Sequence, residues 1–129
     1  MSALFVDTSI WVEFLRGTPL PSLEEALHDG LVVLAPIVAA ELLSAPLSKG
    51  ERRSLVALLQ DLPLHPTPLA HWLAVGALRA QLSKKGLSVS TPDAHVAECA
   101  IEARAALWSN DAIFRKIAKA SSLRLFEAR

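Results

Sequence analysis

Three short apolar runs, Ala3 to Val6, Leu31 to Leu34 and Ala105 to Trp108, with a fourth from Leu123 to Phe126 that carries only Arg124 as a charge, set the main constraint on what this chain can fold into. Each has the length of a strand. The run from Leu31 to Leu34 is apolar throughout, the pattern of a parallel strand covered on both faces. The segments between the runs carry helical periodicity instead. Strands that alternate with helices imply an α/β layer architecture with a mainly parallel sheet and right-handed crossovers. The 129 residues suit a single domain, 1–129, with a hydrophobic core.

Local signals place the helices. Thr8 to Arg16 reads as a helix stopped by Gly17, and Pro36 opens another that runs to Ser44 before Pro46. Ser22 with Glu25, and Ser48 with Glu51, have capping-box spacing. They predict one helix from about Leu23 to Asp29 and a second carrying Leu55, Leu58, Leu59 and Leu62 on one face. Leu62 to His65 reads as a brief strand. Thr67-Pro68 and Thr91-Pro92 are each read as a cap followed by proline at the first helical position, opening helices that reach Gly86 and about Ala103. Asp111 to Ala120 is the last helix. No internal repeat or low-complexity segment interrupts the pattern.

Charge and composition exclude several classes. Thirteen Lys and Arg balance thirteen Asp and Glu, so the whole chain has no field that would hold nucleic acid by counterion release. Nucleic-acid contact must then rest on local patches: Arg52-Arg53, Lys84-Lys85, or the group Arg115, Lys116 and Lys119. Each also reads as a solvated helix end. The last group is the best placed, because a helix beginning near Asp111 carries Arg115 one turn further along the same side. Gly30 to Ala40 is too short to span a bilayer and is broken by Pro36, so no membrane segment is expected. No basic segment precedes the first apolar run, which argues against a secretory signal. The single Cys99 excludes an internal disulfide and suits a reducing cytoplasm. Cys99 and the tryptophans Trp11, Trp72 and Trp108 read as core residues.

The carboxylates carry the chemistry. Asp7 follows the first strand and Asp111 follows the third, and ligands in such sheets gather outside the carboxyl ends of strands. Taken singly, each acid also reads as a helix N-cap, and Asp93 reads as a complement to a helix dipole. Glu41 is harder to explain away. It shares a stripe with Ile37 and Val38 and lies between Ala40 and Leu42, which places it on an inner face where an acid needs a partner. Asp93 likewise shares its face with Val96, Ala97 and Ala100. One shared site accounts for all four acids. Like charges that converge demand a counter-charge, and hard oxygen ligands suit Mg²⁺ or Mn²⁺ better than zinc. His28, His65, His71 and His95 show no ligand spacing, and His95 is rotated about 200° from Asp93 around an ideal helix.

VDTSIWVEFLRG at the N-terminus, AAELL around Glu41, TPDAHVA around Asp93 and SNDAIF around Asp111 together resemble the PIN-domain ribonucleases, in particular the VapC toxins of type II toxin–antitoxin systems. The resemblance extends over the whole chain, in order and at fitting spacing. It implies a three-layer α/β/α domain that binds one or two Mg²⁺ or Mn²⁺ ions and cuts RNA to leave a 5′-phosphate and a 3′-hydroxyl. Asp7, Glu41, Asp93 and Asp111 would be the metal-site acids, with Thr8 or Ser9 supplying a supporting hydroxyl and Asn110 assisting Asp111. It also implies a VapB-like antitoxin as partner, and a homodimer. The neutral overall charge departs from what an RNA path would lead one to expect.

Other classes fit less well. A receiver-type phosphoacceptor domain wants an acidic pair after the first strand and a Lys after a late one, whereas Asp7 stands alone and no Lys follows Trp108. A dinucleotide-binding domain wants a Gly-rich fingerprint, which is missing after the first strand. A PIN fold without catalysis, acting as an RNA- or protein-binding module, would not need all four acids.

Overall fold

A computed structural model describes residues 3–128. Its elements, in chain order, are β1 (Leu4–Val6), α1 (Thr8–Leu15), α2 (Pro21–His28), β2 (Val32–Val33), α3 (Pro36–Leu43), α4 (Lys49–Gln60), α5 (Leu69–Lys84), α6 (Thr91–Ala103), β3 (Ala106–Trp108), α7 (Ala112–Ala120) and β4 (Arg124–Leu125). The four strands form one parallel sheet in the order β2-β1-β3-β4, with Leu4 opposite both Val32 and Ala106, and Val6 opposite Trp108. Helices cover this sheet in a three-layer α/β/α arrangement, the fold class expected from the alternating pattern.

Central strand β1 is wholly buried, as is Leu107 of β3, so neither strand could show polar alternation. Small residues on α6 determine how closely it approaches them. Ala94, Ala97 and Ala100 are fully buried at three-residue spacing, and α6 packs against both β1 and β3. That close approach brings the first turn of α6, which holds Asp93, toward the strand ends.

Several boundaries differ from the sequence expectation, each for a local reason. Helix α2 begins at Pro21, with Leu20 as N-cap and no side-chain cap, so Ser22 and Glu25 fall inside its first turns and form no capping box. Proline's fixed φ has set the start two residues early. The box at Ser48 and Glu51 does form, with both reciprocal bonds present. Pro68 caps α5 in place of Thr67, and Ser90 rather than Thr91 caps α6, which places Pro92 second and Asp93 third in that helix. Leu62 to His65 contributes only a single parallel bridge, Leu34 to Leu64. Gly17 and Gly86 end α1 and α5 at φ of +91° and +83°, backbone that a side chain would strain.

Replacing fully buried Leu107 with alanine should cost about 2–5 kcal/mol, read as a lower urea midpoint at an unchanged slope. A loss below about 0.5 kcal/mol would mean that β3 is not the packed centre described here.

Candidate functional site

The strand order creates a switch point. From β1 the chain moves outward to β2, then returns through α3 to α6 and enters the sheet at β3, on the other side of β1. A crevice therefore opens beyond the carboxyl ends of β1 and β3. Asp7 lies at the first of these ends, and Ser109, Asn110 and Asp111 follow the second. The Asp7 amide still donates to the Trp108 carbonyl (2.9 Å), so the two ends stay in register up to the site itself.

Asp7 precedes α1 in N-cap position, yet its carboxylate does not cap the helix. Instead Oδ2 accepts from the Ser9 hydroxyl (3.0 Å) and the Ser109 hydroxyl (2.8 Å). Both hydroxyls in turn accept backbone amides from the loop after β3: Asn110 N–H on Ser9 and Asp111 N–H on Ser109, each at 3.0 Å. The Asp7 Oδ1 receives no hydrogen bond among the described residues. A carboxylate only 8% exposed is thus fixed through one oxygen and left with the other available.

The remaining acids reach the crevice from three other elements. Glu41, near the end of α3, accepts from the Thr8 hydroxyl at 2.7 Å. It is exposed, contrary to the inner face expected from its apolar neighbours. Val38 and Leu42 turn into the core and leave the next positions to solvent at the rim. Asp93 is partly buried, and its amide is capped by Ser90. Burial pushes its carboxyl above the ordinary aspartate range, and the charges of Asp111 and Asp7 push the same way against an opposing hydrogen bond with Ser90. That influence places Asp7 and Asp111 within electrostatic reach of Asp93. Asp111 does serve as a cap: its Oδ1 accepts the Ile113 amide at 3.1 Å. The acids are joined through hydroxyls and charge, and no three of these carboxylates among the described residues place an oxygen within 4.8 Å of one another.

Two contributors were not singled out from sequence. Ser109 is the residue that ties β3 to Asp7. Glu13 accepts from the Asn110 side chain at 3.0 Å and so orients the loop before Asp111. Its signal was present, since Ser9 and Glu13 lie four residues apart on one face of α1. Among the basic candidates, Arg115, Lys116 and Lys119 are exposed on α7 and Lys84 is exposed at the end of α5. The Lys85 ammonium donates to the Ala120 carbonyl (2.7 Å) and caps the end of α7, which gives it a structural role.

Other expectations need correction. Trp11 and Trp108 are core, but Trp72 is 39% exposed and stacks on the buried ring of His95 (4.7 Å, 9°). The histidines taken to lack ligand spacing come together in the fold: His65, His71 and His95 cluster with Cys99 and Glu102 away from the acids.

The donor set in the crevice fits a hard divalent cation. It consists of carboxylates supported by hydroxyls, and no Lys or Arg among the described residues forms an ion pair with any of the four acids. No ion pair among the described residues therefore compensates the charge that bears on Asp93.

The raised Asp93 value has a consequence for stability. Between its ordinary and its raised value the native state keeps a proton that the unfolded chain has released, so stability falls as pH rises through that window. At neutral pH in EDTA, Asp93→Asn should raise the melting temperature by a few degrees, and the gain should vanish below about pH 3.9. A clear drop at neutral pH would show that Asp93 acts only as a helix-start residue.

Comparison with known proteins places this arrangement. The PIN domain family matches residues 4–120. No curated protein matches the chain by sequence. Among solved structures, the chain resembles one in VapBC2 from Rickettsia felis bound to a DNA fragment from their promoter (22% identity, TM-score 0.78, 98% of this chain and 99% of that one). It also resembles chains in VapBC-1 from nontypeable Haemophilus influenzae (18%, TM-score 0.76, 97% of each chain) and in VapBC-5 of the VapBC toxin–antitoxin family from Mycobacterium tuberculosis (21%, TM-score 0.69, 99% and 100%). With the parallel sheet, the switch-point crevice and a family match over nearly its whole length, this chain belongs to the PIN domain family.

Proposed function

We propose that the protein is a VapC-type toxin, a Mg²⁺- or Mn²⁺-dependent endoribonuclease held in check by a VapB-like antitoxin. The observation that carries this reading is the treatment of Asp7: a nearly buried carboxylate that leaves its helix uncapped and is held across the switch point by two hydroxyls. A simple cap would have spent that carboxylate on the α1 amides. Asp7, Glu41, Asp93 and Asp111 would hold the cation, which when bound supplies a Lewis acid that acidifies water and offsets phosphate charge.

The chain's own residues do the positioning. Ser9 and Ser109 fix Asp7, Thr8 fixes Glu41, and Ser90 fixes the start of α6 beneath Asp93. Glu13 and Asn110 brace the loop that presents Asp111. Helix α7 begins at this crevice, so its N-terminal amides favour an anionic phosphate, and exposed Arg115, Lys116 and Lys119 extend a basic face beyond it. This local patch supplies what the neutral net charge does not.

The described residues contain no helix long and apolar enough to cross a membrane, and the reading places the protein in the cytoplasm. Exposed Leu64, Leu69, Trp72 and Leu73 offer apolar surface for the antitoxin or for a second copy in a homodimer. The solved VapBC complexes support an antitoxin partner by analogy of fold.

The test is RNA cleavage by the purified chain, followed by mapping of the ends. Cleavage should require Mg²⁺ or Mn²⁺, leave 5′-phosphates, and become undetectable in Asp7→Asn while the circular dichroism spectrum is unchanged. Ser109→Ala should lower activity about 10- to 100-fold, the usual cost of removing a group that orients a metal ligand. Undiminished cleavage in EDTA, or by Asp7→Asn, would overturn the proposal.

A further inference from the structure

The described residues hold one group of at least three His, Cys, Asp or Glu ligand atoms that all lie within 4.8 Å of one another, and it is not in the acidic crevice. It comprises a ring nitrogen of His65, a ring nitrogen of His71 and the sulfur of Cys99, all buried. His65 Nε2 and His71 Nδ1 converge on a single atom, Glu102 Oε1, at 2.8 and 2.9 Å. Cys99 and Glu102 lie three residues apart on α6 and so face the same side. His95 lies one turn before Cys99. It bonds His71 Nε2 through Nδ1 (2.7 Å), approaches the Cys99 sulfur through Nε2 (3.7 Å), and is roofed by Trp72.

We propose that His65, His71, Cys99 and Glu102 form a second metal site, specific for Zn²⁺ rather than for the hard cation of the acidic crevice. Imidazole and thiolate are the ligands that zinc prefers, and one carboxylate completes a tetrahedral set. Tetrahedral zinc wants its ligand atoms about 3.3–3.8 Å apart, as follows from bonds of about 2.0–2.3 Å. Since all three atoms already lie within 4.8 Å of one another, the closure required is at most about 1 to 1.5 Å. Two imidazoles already aim at one point, so an ion seated there requires Glu102 to draw back from between them and become the fourth ligand. The unliganded cluster has a satisfied alternative: Glu102 accepts from His71, His71 accepts from His95, and the thiol of Cys99 donates to His95. Burial, with Glu102 and Glu98 nearby, pushes that thiol up to about 12, so zinc capture must displace its proton and tightens as pH rises. The ion would pin the loop carrying His65 and the start of α5 onto α6, the helix whose first turn holds Asp93.

Titration of the metal-free 129-residue chain with Co²⁺ tests the proposal. One equivalent should produce a thiolate-to-cobalt charge-transfer band together with intense tetrahedral d–d bands, and Zn²⁺ should erase both. Asp7→Asn should give the same spectrum at the same stoichiometry, which separates this site from the acidic one. Cys99→Ser should lose the charge-transfer band, and Glu102→Gln should weaken binding about 10- to 100-fold. Zn²⁺ should also raise the melting temperature of the wild-type chain, since only the fold brings the four ligands together. Absence of the charge-transfer band in the folded wild-type protein would overturn the proposal on its own, whether or not the variants fold. An unchanged cobalt spectrum in Cys99→Ser would overturn it equally.

Discussion

The hydrogen bonds from Ser9 and Ser109 to one oxygen of Asp7 join everything else in this protein to its site. Asp7 stands at the end of a strand with no polar face, where an unpartnered charge is costly. Hydroxyls satisfy half of it without neutralising it. That distinction matters: an arginine there would have given an inert ion pair, whereas two serines leave a negative charge that is fixed in place and still uncompensated. The same hydroxyls accept amides from the loop after β3, so the carboxylate and the backbone around Asp111 are positioned by one set of bonds.

The two candidate metal sites show how ligand chemistry divides within a single helix. Helix α6 presents Asp93 to the acidic crevice from its first turn and Cys99 and Glu102 to the imidazoles from its later turns. The first environment consists of carboxylates and hydroxyls around the half-buried start of the helix, and the second of buried imidazole nitrogen and sulfur with one carboxylate at its edge. The buried Cys99 is what sets the second group apart from an all-oxygen donor set.

The fold was legible because strands β1 to β3 are apolar throughout and its helices are periodic, both local properties of sequence. Boundaries marked by Gly17, Gly86 and the Ser48 box could be read for the same reason. Boundaries failed where two signals competed at adjacent positions, as at Pro21 against Ser22 and at Ser90 against Thr91. The acids at strand ends could be placed because topology fixes where strands end. Exposure was misjudged for Glu41, since composition alone does not say which side of an apolar helix meets solvent. The cluster of His65, His71 and Cys99 escaped notice because its members come from a loop and two helices and meet only in three dimensions. The spacing of His95, Cys99 and Glu102 along α6 was its one local trace.

The bond from Ser109 to Asp7 closes a span of 102 residues, and the bond from Thr8 to Glu41 closes only 33. During synthesis the first strand emerges long before β3, and closing so long a loop costs entropy that only the contacts it brings together repay. The acidic crevice therefore cannot exist in any chain interrupted before β3. A nascent or truncated product carries Asp7 and Ser9 without Ser109, Asn110 and Asp111, so the arrangement around this carboxylate is a property of the completed fold alone.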